Sequence, residues 1–191
     1  MSVDVAAAVR AQLIREFGVS APDSASVTFL GLEPIEVLRF AGDPVCYATV
    51  GCARHPMTDP ADILADPTHG PRAELVLRLR AGADLVGLHR SLAVLAALPA
   101  VEGVVLRPDA LLDLGEPVWR GAPFTAMLTG RSGLAEVSLP SPLDPVQLLE
   151  VVPITATEAA WVRLEGVPAL REAWAEAGID VRDPSRGMAR R

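Results

Sequence analysis

Lysine and asparagine are both missing from this sequence; all 17 basic residues are arginine. Arginine guanidinium and lysine ammonium differ in geometry and hydration, but a whole-chain replacement is read here as compositional bias, not as a selected use of arginine. Cysteine occurs twice and aromatic residues make up 4% of the chain. Two thiols cannot build a disulfide scaffold, and they suit a reducing compartment. So few aromatics mean that the core must be made of Leu, Val, Ile and Ala. No uninterrupted apolar run approaches the roughly 20 residues that span a bilayer. The start, Met1 to Arg10, lacks a basic segment followed by a long apolar one, so no secretory leader is expected there. The expected location is the cytoplasm, with no membrane partner. Positive charge is also in deficit. The net charge is −7, and the sequence pI is near 4.9. Nucleic-acid binding is dominated by phosphate neutralisation, so an acidic chain argues against a DNA or RNA partner.

Apolar residues, in contrast, are plentiful. They make up 50% of the 191 residues, and the mean hydropathy is +0.32. A sizeable core is within reach, and the length suits one domain spanning 1–191. Val5, Val9, Leu13 and Phe17 recur every fourth residue, which predicts a helix over Val3–Phe17 ended by Gly18. Ser20–Ser26 reads as a turn. Strands are predicted at Val27–Leu32, Ile35–Phe40 and Val45–Val50, punctuated by Gly and Pro. Ala73–Arg80 alternates with period two and reads as a strand with one buried face. Asp84 is placed to cap a helix over Leu85–Leu98, which Pro99 would end. Further strands are expected at Val104–Leu106, Val118–Arg120, Phe124–Thr129 and Leu148–Val152. Thr155 and Glu158 have capping-box spacing, opening a helix that would turn Trp161 and Leu164 inward. Pro168 suits the first turn of a last helix, and Gly178 suits its end. The order of elements points to an α+β fold: a largely antiparallel or mixed β-sheet flanked by helices.

Reactive chemistry has few candidates. His55, His69, His89, Cys46 and Cys52 fit no closed zinc spacing, so neither a metal nor a cofactor is expected. A cysteine nucleophile, Cys52 with His55 or His69, is the runner-up reading. Sequence proximity alone supplies neither a base within reach nor an orienting acid. GxSxG and Walker patterns are absent. Gly130-Arg-Ser-Gly133 reads as a surface hairpin, and Arg78, Arg80 and Arg90 as a solvated face.

Three stretches resemble the suppressor-of-fused family in order and spacing, over about residues 30–187. The first is Tyr47-Ala-Thr-Val-Gly51, running on to His55, Pro56 and Met57. The second is Pro71-Arg-Ala-Glu74-Leu-Val-Leu-Arg78-Leu. The third is Val152-Pro-Ile-Thr155, followed by Glu158, Gly166, Leu170 and Asp183-Pro-Ser-Arg186-Gly187. The resemblance implies a protein-binding domain without catalysis or cofactor. Animal members restrain Gli-type transcription factors. Bacterial single-domain members look like immunity proteins of polymorphic toxin systems, and this chain is similar to that form. Regulation of transcription through protein contacts stays open as an alternative. In animal members a Tyr and an Asp of the loop after the first motif help hold a partner peptide. Asp66 falls at the Asp; Pro56 stands where the Tyr would be, so that contact is in doubt. Asp183 and Arg186 fit the family ending and are expected to pin the tail through an ion pair or turn.

The stretch from Gly51 to Pro71 carries no strand or helix pattern, and loops of that length are uncommon and often functional. His55, Met57, Asp59, Asp62 and Asp66 are therefore the candidate partner-binding residues. They are expected to work with the adjacent sheet edge by strand addition. The acidic balance favours a basic partner, for example a basic toxin.

Overall fold

The computed structural model describes residues 3–61 and 64–189. Asp4 caps the first helix, α1 (Val5–Phe17), through its side chain on the Ala7 N–H, and Gly18 closes it in the left-handed conformation. Strands β1 (Asp23–Val27), β2 (Ile35–Phe40) and β3 (Val45–Val50) follow. A one-turn 3-10 helix (Cys52–Arg54) leads into the long loop, and β4 (Arg72–Leu79) follows it. Then come α2 (Leu88–Glu102), β5 (Leu111–Asp113), β6 (Phe124–Arg131), β7 (Val146–Thr155), α3 (Ala156–Glu165) and α4 (Val167–Glu176).

The seven strands form one sheet in the order β1-β2-β3-β4-β7-β6-β5. Every pairing is antiparallel except β4 with β7, which is parallel. The sheet is therefore mixed, and the fold is α+β. Alternation along the strands sorts the core onto two faces. Ile35, Val37, Leu75, Leu77 and Val151 turn towards α2. On the opposite face Leu38, Phe40, Ala48 and Val76 pack under α1. Ala126, Leu128 and Ile154 on that face pack under α3 and α4.

Several expectations are corrected. The first strand is Asp23–Val27, not Val27–Leu32. It is a sheet edge whose Ala25 and Val27 are half-buried while Ser24 and Ser26 are exposed, an alternation too short and too weakly apolar to stand out in the sequence. Helix α2 begins at Leu88 behind Gly87, without Asp84 as cap, and runs through Pro99 to Gly103. A proline in the last turn forfeits only one backbone bond, and the helix ends one turn later on the glycine. Val104–Leu106 and Val118–Arg120 are not strands, whereas Leu111–Asp113 is. Strand β6 runs on through Arg131, so Gly130–Gly133 opens a long connection to β7 and is no tight hairpin. The capping box at Thr155 and Glu158 is present. Leu164, however, points out and is 83% exposed, while Trp161 is half-buried.

Candidate binding site at the 51–71 loop

Two charged side chains on β4 shape this loop. Arg72 and Glu74 are both buried, 2% and 0% exposed. Glu74 accepts from the Thr49 hydroxyl at 2.6 Å and from the Gly51 and Ala53 N–H groups at 2.7 and 3.0 Å. Burial pushes its carboxyl above the ordinary range, and these donors hold it back. Arg72 faces the other set of backbone groups. Its Nη1 donates to the Ala53 and Arg54 carbonyls, both at 2.9 Å, and its Nη2 to the Thr68 carbonyl at 3.2 Å. Between them they satisfy the backbone of the 3-10 turn, which has no strand neighbour to do so. Gly51 is required where the chain enters that turn. Its φ is +133°, and a Cβ there would lie 3.2 Å from the Pro34 carbonyl.

The far end of the loop is fastened as well. The Met57 N–H donates to the Pro71 carbonyl at 2.8 Å, and the Gly70 N–H to Asp144 at 2.7 Å. The loop is thus not structureless, as its sequence reads, but stapled at both ends.

The five candidate residues have different surroundings. Met57 is 5% exposed, and its sulfur accepts from the Leu106 N–H at 3.3 Å. It is a core side chain that forms part of a cleft wall. His55 is exposed, with Nε2 3.7 Å from Glu33. Asp59 caps the Ala61 N–H at 2.9 Å and lies 3.6 Å from Arg107. Asp62 falls outside the described residues. Asp66 closes a turn on the Thr68 and His69 N–H groups at 2.8 and 3.0 Å and meets the His69 ring at 3.0 Å. The His69 N–H first, then Thr68 and the imidazole, lower its carboxyl to about 2.

A cleft of about 410 Å³ opens between this loop, the β1–β2 connection and the end of α2. Leu32, Met57, Ala96, Ala97 and Ala100 give it an apolar lining; Glu33, Arg54 and His55 lie at its polar side. Leu30, Leu64 and Val101, on the three segments that wall the cleft, are exposed large aliphatics. The sequence reading missed the α2 wall and the roles of Arg72 and Glu74. The available signal was two charges, two residues apart, in an otherwise apolar strand beside a long loop. The ladder between β3 and β4 covers only 45–48 with 76–79, so Thr49–Val50 and Arg72–Leu75 part beside the loop, where the Glu74 and Arg72 side chains bond the 3-10 turn instead. The outer strands of the sheet are β1 and β5.

The remaining chemistry is scattered. Burial first, then the Glu74 charge, pushes the Cys52 thiol well above its usual range. Burial likewise raises Cys46. Among the described residues no group of three His, Cys, Asp or Glu is placed to hold a metal ion. Arg78 pairs with Glu150 at 3.1 Å and Arg80 with Asp180 at 2.6 Å, while Arg90 sits on α2. They do not form one patch. No described helix is long and apolar enough to cross a membrane.

At the chain's other end, Arg186 enters the core to meet Glu158, with contacts of 2.8 and 3.1 Å. Its guanidinium lies 5.0 Å from the Phe124 ring centre and 5.3 Å from Trp174. Asp183 instead closes a turn on Ser185 at 2.8 Å. The tail is pinned by both an ion pair and a turn, but by separate residues.

The family described as suppressor of fused protein matches residues 31–187. The chain belongs to the suppressor-of-fused family. Solved structures agree on the fold. A protein described as a suppressor-of-fused homologue from Neisseria gonorrhoeae aligns at TM-score 0.70 and 19% identity, covering 100% of this chain and 99% of that one. Drosophila Suppressor of Fused aligns at 0.69 and 14% identity over 97% of this chain. The present chain spans 51% of that Drosophila chain. The protein in a structure of the Sufu–Fu complex aligns at 0.67 and 14% identity, covering 97% and 91% of the two chains. No curated protein sequence matches. The motif Pro71-Arg-Ala-Glu74-Leu of this suppressor-of-fused domain is the strand whose two charges shape the loop.

Proposed function

We propose that this suppressor-of-fused domain is a non-catalytic binding module that clasps a partner protein at the 51–71 loop, in the manner of an immunity protein neutralising a basic toxin in the cytoplasm. The observation that carries this reading is the preformed cleft beside the loop, lined by Leu32, Met57, Ala96, Ala97 and Ala100. Concave apolar surface of this kind marks a contact site. Glu33 at the cleft and Asp59 and Asp66 on the loop supply carboxylates suited to a basic partner.

The cysteine-enzyme reading finds less support. A nucleophilic thiol needs a lowered pKa, and that of Cys52 is raised. The test is affinity for a toxin encoded beside this gene, measured with the purified chain. Asp62→Arg combined with Asp66→Arg should weaken binding about tenfold or more; unchanged affinity rejects this surface.

A further inference from the structure

We infer that α1 is a latch for the 3-10 turn beside the cleft: the docked helix and the closed turn form one cooperative unit, and a contact that lifts α1 unlocks the turn. The inference rests on the binding-module reading only for its consequence, which is that α1 regulates the loop.

The turn is wedged between the two helical layers of the fold. Cys52 packs against the cluster on the α2 side, while its neighbour Ala53 lies in the cluster on the α1 side with Val5, Val9 and Leu13. Both helices touch the turn. Their holds on the sheet differ in strength. Helix α1 buries three residues, Val5, Val9 and Leu13, whereas α2 buries six, three of them leucine. Stabilisation grows with the apolar area removed from water, so α1 is the layer more easily lifted. A polar tie joins it to the same place: Arg10 pairs with Glu36, and Glu36 lies opposite Val50, the residue before Gly51.

What α1 covers is costly to leave half open. The Ala53 N–H donates to Glu74 at 3.0 Å, and its carbonyl accepts from Arg72 at 2.9 Å. By alternation Arg72, Glu74 and Val76 share one face of β4, and Val76 packs in the α1 cluster. Two buried charges bonded to backbone groups are held there while the site is dry, and water is their competing partner. Lifting α1 uncovers Ala53 and admits water to both charges, which loosens the turn. A closed turn in its place gives α1 the Ala53 side chain to pack on. Each closed state therefore favours the other, and the coupling is reciprocal. Opening such a unit takes less free energy than unfolding the whole sheet.

The experiment is native-state amide exchange on the full chain, read residue by residue by NMR. The amides of Val9 and Leu13 and those of Gly51 and Ala53 should share one opening equilibrium. It should be more populated than that of Leu149 and Glu150 in β7, which is paired on both sides. Asp4→Ala removes the exposed cap of α1. It should speed exchange in α1 and in the turn by the same factor, about fivefold. Gly51→Ala strains the turn and should speed the α1 amides as much as it speeds Ala53. Asp4→Ala carries the test alone should Gly51→Ala fold poorly. Leu164→Asp, on the exposed side of α3, should leave both segments as they are. Turn amides that keep their rate while α1 speeds up overturn the latch. Turn amides that exchange only as Leu149 and Glu150 do, in wild type and variants alike, overturn it as well. Faster turn exchange in Asp4→Ala with unchanged affinity for the partner keeps the latch and rejects the loop as the binding surface, which separates the two readings.

Discussion

Glu74 and Glu158 are both fully buried carboxylates, yet their surroundings move them in opposite directions. Burial raises Glu74, and its partners are neutral donors that only moderate the rise. Burial also pushes Glu158 up, but Arg186, the Trp174 indole and the Thr155 N–H outweigh it and hold the group below its ordinary value of 4.5. The signs of their pH effects therefore differ. Glu158 contributes stability that is present above pH 4.5 and lost as the pH falls through its lower native value. Glu74 contributes stability below pH 4.5 that is lost as the pH rises through its higher native value. Arg186→Ala strands a buried carboxylate and should cost about 3–5 kcal/mol near neutral pH, read by urea unfolding, with a smaller loss below pH 4.5. Glu74→Gln removes a costly buried charge while keeping an acceptor for the Gly51 and Ala53 N–H groups. Its urea midpoint at neutral pH should equal or exceed that of wild type. Glu74→Ala leaves those donors unpaired and should cost about 3 kcal/mol.

Among the elements, the 3-10 turn and the loop it opens are the most exacting. Gly51→Ala meets both a positive φ and a carbonyl 3.2 Å away, so a loss of about 1–3 kcal/mol is expected in the same unfolding assay. Elements with a strong local signal were legible in the sequence. β2 and β3 lie where their β-rich runs and flanking Gly and Pro put them, and the capping box opens α3 at Thr155. What escaped has a physical cause. β1 and β5 are short edge strands that gain their form from a neighbour, so their own residues carry little pattern. Pro99 reads as a stop but falls in a last turn, where it costs one bond. Leu164 has inward spacing on paper, yet the face of α3 that carries it has no described layer above it. At the site, the length of the loop was visible, whereas its staples were not. Arg72 and Glu74 act across the sheet end on Thr49, Ala53 and Thr68. Linear spacing does not encode such contacts. Met57 was placed among partner-facing residues because its loop is polar, and it is buried.

For the whole molecule, the charge balance sets the expected kinetics of association. A net charge of −7 would steer a basic partner from a distance, and salt screens such a pull over roughly 8 Å at physiological ionic strength. Raising the salt should slow association about tenfold or more and leave dissociation nearly unchanged, as stopped-flow mixing would show.

Amide hydrogen exchange of the chain, alone and bound to the partner purified with it from its own cells, tests the central claim most directly. Binding should add protection at 30–34, 52–69 and 96–103 and leave β5, α3 and α4 as they were. Protection centred on α3 and α4 or on the β5 edge, with those three segments unchanged, would contradict it.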